Sequence, residues 1–388
     1  MRLGVLQETY PNERRVALIP ALAPMYAKLG FEVLVQSGAG EGAYHTDDAY
    51  RQAGATVLPA REEVLAQADI VLTVRTAGAN PNFEADLPYV RAGQIWVGFM
   101  EPLFRPQGAQ QLAERGATAF AMELIPRITR AQSMDALSSM ATVAGYKAVL
   151  LAAHLSPRMF PLLMSAAGTV SPARVFVIGA GVAGLQAMAT AKRLGAAVSG
   201  YDVRPATRDQ VESVGAKFVE IPLQVEGAEA ASGYARALEE ETLRRQQDLL
   251  GEHLVQHEVV ITTAAVPGKR APLLIPRRVV EAMPAGSVII DLAAEWGGNC
   301  ELTQPGETVQ HAGATIVGAV NLPATAPVDA SMLYSRNLYN LLAHLHKVGM
   351  LPSPTPDHED EIARETLVAH GGRVTHPRVM QSTEGVNR

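Results

Sequence analysis

The feature that most constrains this chain is a glycine-spaced turn, Gly179-Ala180-Gly181-Val182-Ala183-Gly184, set directly after the apolar run Val175-Phe176-Val177-Ile178 and before a helical pattern. Each glycine has a physical task in such a strand–turn–helix unit. Gly179 allows the tight turn, Gly181 lets a pyrophosphate approach the backbone, and Gly184 permits close packing of helix on strand. The helix N-terminus adds amide donors and the positive end of a dipole. An acid, Asp202, follows at the end of the next strand-like run, where a carboxylate accepts hydrogen bonds from ribose hydroxyls and repels a 2′-phosphate. That order points to a bound dinucleotide, NAD(H) in preference to NADP(H), although Arg204 places a positive charge nearby. A Rossmann-like turn kept for packing, without a cofactor, is the competing reading.

Around this turn the chain reads as a series of short β-type runs near 174–179, 197–202, 258–263, 287–292 and 314–319, with helices between them: a doubly wound parallel sheet. Residues 1 to about 125 repeat the same grammar in Leu3–Leu6, Glu32–Gln36, Ile70–Val74 and Ile95–Phe99, and Gly30 stops a helix over Pro20–Leu29 before the second strand. With 388 residues, two cores are expected. Arg130–His154, Ala-rich, without proline and with one glycine, predicts a helix linking them. Ser331–Val348 is helical, and the proline-rich run from Leu351 to Asp357 breaks the chain before an acidic, weakly structured tail that should pack back on the first domain. The expectation is α/β: two Rossmann-like domains with parallel sheets joined by long helices, the cofactor in an interdomain cleft. The first domain takes 1–135 plus 326–388, and the NAD(H)-binding domain takes 136–325.

Composition narrows the function classes. Apolar residues make up 48% and charged residues 19%, enough apolar material for a packed core. A net charge of -6 with no long basic run argues against nucleic acid. The single cysteine, Cys300, excludes an internal disulfide and a cysteine zinc site, and reads as a small buried residue. The histidines form no metal-ligand constellation, and His344 and His346 are read as lying at a helix end. Arg2–Leu6 is too short for a signal peptide. The longest apolar stretch, Ala148 to Val170, is broken by His154, Pro157, Arg158 and Pro161, so it cannot supply the roughly 20 apolar residues that a membrane span needs, and a soluble chain is expected.

Ahead of and within the linking helix stands Arg127-Ile128-Thr129-Arg130-Ala131-Gln132-Ser133-Met134-Asp135-Ala136-Leu137-Ser138. Gln132, Asp135 and Ser138, spaced at three, would be displaced by about 60° and share one polar arc. Arg127 could pair with Asp135. The face could meet a ligand, or it could be a capped, solvated helix face; residue types alone leave both open.

Taken together, Met122–Ser139 and Gly179–Gln186 resemble the NAD(H)-binding component of proton-translocating transhydrogenases. The resemblance extends through Thr262–Lys269, Gly286–Ala293 and Gly297–Glu301, nearly the whole chain. It implies that Arg127, Gln132, Asp135 and Ser138, with Ile128 and Thr129, position a nicotinamide ring. It also implies that Gly233 and Tyr234 belong to a mobile loop closing over the nucleotide, with Gln246 near it, and that Val182, Asp202, Val203, Arg204 and Ala265 complete the dinucleotide site. Tyr234 as an exposed loop aromatic and Gln246 as a solvated helix residue remain open. The implied reaction is direct hydride transfer between NADH here and NADP⁺ on a partner subunit, coupled to proton translocation. Implied with it are a homodimer, membrane-embedded partner subunits including one that binds NADP(H), and a cytoplasmic position, peripheral on the inner face of the membrane. Since the sequence ends at Arg388, the membrane partner is expected to be a separate polypeptide.

The opening Gly4–Ala17 is also similar to alanine dehydrogenase, which needs a substrate-binding lysine and an acid/base histidine. The resemblance would put these at Arg75 and Glu101, so both residue types are missing, and Glu295 stands where that family has an aspartate. Arg15 fits both families and can equally be a structural ion pair with Glu13. A noncatalytic NAD-sensing module is the alternative from another class.

Overall fold

The computed structural model describes residues 1–221, 232–265, 268–356 and 358–386, with 232–240 and 383–386 described as backbone only. The chain divides into two compact units, Met1–Met140 with Pro323–Arg388, and Ala141–Leu322.

In the first unit, β-branched and aromatic runs form an eight-stranded sheet in the order Arg373–Val374, Leu367–His370, Thr118–Ala121, Ile95–Phe99, Ile70–Arg75, Arg2–Val5, Glu32–Gln36, Thr56–Leu58. The six strands from the N-terminal stretch run parallel, while Leu367–His370 joins Thr118–Ala121 antiparallel. The tail expected to be weakly structured is therefore sheet-forming: Leu367, Val368 and Ala369 are buried and extend the core. The helix Pro327–Lys347 is stitched to the N-terminal segment by buried serines one turn apart, Ser331 Oγ accepting from Val16 N at 3.0 Å and Ser335 Oγ from Ile19 N at 3.0 Å. His344 and His346 lie in its last turn.

The second unit holds a seven-stranded sheet ordered Lys217–Phe218, Ala197–Tyr201, Arg174–Ile178, Val259–Thr262, Val288–Asp291, Ala314–Gly318, Thr308–His311. All neighbours are parallel except the last pair. The order reverses between Arg174–Ile178 and Val259–Thr262, the switch point at which doubly wound sheets open a crevice beyond the strand ends. Alternate residues face opposite cores: Val175 and Val177 lie in one apolar cluster, Phe176 and Ile178 in the other. Both faces being covered, the strands read as continuous apolar runs.

The linking helix runs Ala136–Leu155, starting later than the sequence pattern suggests, because Thr129–Met134 is a 3₁₀ helix. By length and composition it could cross a membrane. Its Ala148, Val149 and Ala152 are instead wholly buried against the sheet of the second unit. Its lone Gly145 faces the Ala183 carbonyl so closely that a Cβ would stand 2.2 Å from that oxygen.

Two carboxyls close strand ends in the first unit. Glu8 accepts from Val74 N at 2.5 Å and Arg75 N at 3.2 Å, and Glu123 Oε1 accepts from Met100 N at 2.8 Å and Glu101 N at 2.5 Å. Burial outweighs these bonds and pushes both carboxyls up to about 7. A carboxyl raised in the folded state holds its proton there at pH values where the unfolded chain has lost it. Stability therefore falls as pH rises from about 4.5 to about 7, and the cost of burying the charge is fully present above that window. Glu123→Gln should thus gain on wild type between pH 5 and pH 8, by on the order of 3 kcal/mol in relative unfolding free energy. Denaturant unfolding at the two values checks this, and an equal difference at both would contradict it.

Candidate functional site

In the second unit the strand Arg174–Ile178 ends in Gly179 at φ +98°, a left-handed conformation that side chains with a Cβ rarely adopt, and a Cβ there would lie 2.5 Å from Thr263 Oγ1. At Gly184, in the first turn of the helix Val182–Arg193, a Cβ would stand 1.8 Å from the Gly179 carbonyl oxygen. Gly181 caps that helix with no side-chain bond and has no atom within 4 Å of where its Cβ would be. Two of the three glycines are thus forced by protein contacts. The third leaves open space over free helix-terminal amides, the cradle that a pyrophosphate requires.

Asp202 follows the next strand, buried to 9% exposure. Its Oδ2 accepts from Ala180 N at 2.8 Å, tying the carboxylate to the glycine turn, and its two oxygens accept from Arg204 Nε and Nη2, each at 2.9 Å. Burial alone would raise this carboxyl, but the hydrogen bonds from Arg204 and from the Ala180 and Arg204 amides hold it below the usual range. It is therefore anionic at neutral pH, and the solvent-facing Arg204 side chain occupies positions that ribose hydroxyls would take. Val182, Val203 and Ala265 are exposed at the same strand ends. Gln246 is not a solvated helix residue: it is buried, and its carboxamide donates to Tyr201 Oη at 3.0 Å, one residue before Asp202. Gly233 and Tyr234 fall within the helix Ser232–Leu254 rather than ahead of it, and their side chains lie outside the described residues.

Two residues that the sequence does not single out shape the neighbouring loop. Asp291, at its strand's end, accepts from Ala293 N, Asn299 N and Cys300 N and from Thr303 Oγ1 at 2.7 Å. Asn299, wholly buried, accepts from Thr262 Oγ1 at 2.6 Å and Ala264 N at 3.1 Å and donates to the Ala264 and Pro272 carbonyls, both at 2.8 Å. Every hydrogen-bonding position of that carboxamide is filled, and most of them hold the backbone leading to Ala265. The signal lay in the run Gly297-Gly298-Asn299, where two glycines at φ +101° and +77° aim an amide inward.

In the first unit, Asp135 caps the linking helix: Oδ1 accepts from Ser138 N at 2.9 Å and Oδ2 from Ser138 Oγ at 2.5 Å. The anticipated pairing with Arg127 is not formed. Arg127 is exposed and has no ion pair among the described residues, because the serine three residues on already satisfies the carboxylate. Gln132 and Thr129 expose their side chains on the 3₁₀ turn and Ile128 is half-buried, so Gln132 and Asp135 do not share an α-helical arc with Ser138. Elsewhere in this unit Arg15 is buried against Glu13 at 2.6 Å, the structural ion pair considered from sequence. Arg75 pairs with Glu101 at 3.4 Å and lies 4.2 Å from the Tyr10 ring centroid. No group of acidic, histidine or cysteine side chains suited to a metal occurs among the described residues.

The sequence matches the family described as "Alanine dehydrogenase/PNT, N-terminal domain" over residues 4–144 and "Alanine dehydrogenase/PNT, C-terminal domain" over 148–377. It is 45% identical to the first portion of the NAD(P) transhydrogenase alpha subunit of Rhodospirillum rubrum, a separate chain there, covering 97% of this chain and 98% of that one. It is 32% identical to the alanine dehydrogenase of Mycobacterium tuberculosis, covering 84% of this chain and 82% of that one. Among solved structures, a transhydrogenase from Sinorhizobium meliloti superposes with a TM-score of 0.82 at 39% identity, covering 97% of this chain and 99% of that one.

If Asn299 sets the loop at Ala264–Ala265, Asn299→Ala leaves buried groups unpaired and should cost about 2–4 kcal/mol of unfolding free energy. It should also weaken NADH binding, read by fluorescence titration of the variant while still folded. Wild-type affinity would show that the loop does not depend on this carboxamide.

Proposed function

The chain belongs to the alanine dehydrogenase/PNT family and, within it, to the NAD(P) transhydrogenase alpha subunits; from that premise we propose that it binds NAD(H) on the Gly179–Gly184 turn and exchanges hydride directly with NADP(H) held by a separate subunit. The observation that carries this over an amino-acid dehydrogenase is the ion pair of Arg75 with Glu101 at 3.4 Å, at positions where that chemistry needs a lysine and an acid/base histidine. The nicotinamide itself supplies the hydride chemistry, so no proton-transferring side chain is required. What the protein contributes is orientation and exclusion of water.

In this reading Asp202 accepts the ribose hydroxyls once Arg204 swings aside, and its negative charge disfavours a 2′-phosphate. Val182, Val203 and Ala265 flank the dinucleotide, Gln246 steadies Tyr201 beneath it, and Gly233 and Tyr234 close over it. Arg127, Ile128, Thr129, Gln132, Asp135 and Ser138 orient the nicotinamide. Partner subunits embedded in the membrane translocate the proton, which places this chain peripherally on the cytoplasmic face. A homodimer is supported by the hairpin Leu163–Ser165 and Gly168–Val170, where Leu163, Met164 and Val170 are exposed in one apolar patch.

The test uses NADH with an NADP⁺ analogue whose reduced form absorbs apart from NADH, in the presence of an NADP(H)-binding transhydrogenase subunit. Asp135→Asn keeps an effective helix cap, so it should fold and bind NADH as wild type while transferring hydride at least about tenfold more slowly, roughly 1.4 kcal/mol of lost orientation. A wild-type rate would remove Asp135 from the ring site. Asp202→Ala should weaken NADH binding about tenfold or more and NADPH binding much less. Equal affinity for NADH in variant and wild type would remove Asp202 from the ribose site.

A further inference from the structure

The helix Pro327–Lys347 has two working faces. Ser331 and Ser335, one turn apart, grip residues 16–19. Asn337, Asn340 and His344, spaced three and four apart, form a second stripe along the helix. Every member of that stripe is bonded to the segment Thr129–Met134, directly or through one carboxylate. Asn337 Nδ2 and Asn340 Nδ2 both donate to the Ser133 carbonyl, each at 2.9 Å, so both acceptor positions of that oxygen are taken. His344 Nε2 meets Asp360 Oδ1 at 2.8 Å, and Asp360 Oδ2 accepts from Arg130 Nη1 at 2.6 Å. Asp360 also caps the helix Glu361–Thr366 through Ala363 N at 3.0 Å, so its carboxylate is fixed from a third direction. These bonds, with burial opposing them, hold it well below the usual carboxylate range.

Ser133 lies between Gln132 and Asp135, and a doubly held carbonyl fixes the peptide plane that connects them. Arg130 fixes the start of the same turn. The side chains so placed, Gln132 and Arg130, are exposed, so the segment's position is set by these anchors more than by burial of its polar side chains. We infer that Asn337, Asn340 and the His344–Asp360–Arg130 chain are positioning residues for hydride transfer, acting through the Ser133 carbonyl and the Arg130 guanidinium to hold Gln132 and Asp135 in register with the nicotinamide. The inference rests on the ring-orienting role proposed above for Gln132 and Asp135.

The test compares Asn340→Ala, and Arg130→Gln at an exposed position where folding is not at stake, with Gln132→Ala and Asp135→Asn in the hydride-transfer assay with the NADP(H)-binding subunit. Asn340→Ala and Arg130→Gln should lower kcat about tenfold and three- to fivefold respectively, with NADH affinity within twofold and an unchanged Tm. A merely structural role would lower Tm and the active fraction and leave kcat per bound NADH as it was. Introduced into Gln132→Ala, Asn340→Ala should add less than a twofold further loss, since both act through one segment. Slow transfer in Gln132→Ala and Asp135→Asn beside wild-type rates in the two anchor variants would overturn the inference and leave the ring-orienting role standing. Wild-type rates in all four would overturn both.

Discussion

The second unit is organised by one short approach, that of the helix Val182–Arg193 to the end of the strand Arg174–Ile178. At Gly184 the two backbones are so close that a single methyl would stand 1.8 Å from the Gly179 oxygen. The linking helix uses its only glycine, Gly145, to come nearly as close to Ala183 in the same turn. Thr263 Oγ1 donates to the Ile178 carbonyl from the adjoining strand end, and Asp202 receives the Ala180 amide. The helix terminus, the acid and the neighbouring loop are thus fixed relative to one another before any ligand arrives, which reduces the ordering cost of binding.

Much of this is legible in the sequence because it rests on period and on glycine. The strands of the second sheet lie within a residue or so of the apolar runs that predict them, since continuous Val/Ile stretches between turns have few alternatives. What stays hidden depends on long-range pairing. Leu367–His370 is too short and too mixed to announce a strand, and becomes one only by pairing with Thr118–Ala121. Gln246 looks like any residue of a charged helix until Tyr201 is found beneath it. The polar segment stands out in the sequence but its geometry does not, because an aspartate followed three residues later by a serine caps a helix, and that local bond leaves no place for Arg127.

The first unit keeps the layout of a strand-end pocket while neutralising its charges internally. Arg15 is held by Glu13, and Arg75 by Glu101, with Arg105 on the same carboxylate at 3.2 Å. Buried charges so paired cost little as they stand and a great deal when one partner is removed. The arrangement gives rigidity to the strand ends without offering an amine or imidazole for proton transfer. A chain with the frame of an amino-acid dehydrogenase can in this way serve as a holder for a cofactor whose hydride goes elsewhere.

The proposed function turns on hydride passing directly from the nicotinamide held here to a second one. Its most direct measurement uses NADH carrying deuterium at the transferable C4 position, NADP⁺, this chain and an NADP(H)-binding transhydrogenase subunit, with the NADPH formed analysed by mass spectrometry. Full retention of deuterium in NADPH, with no reduction of NAD⁺ when L-alanine is supplied to this chain alone, is the predicted result. Loss of the label to water, or turnover of L-alanine without the partner, would contradict it.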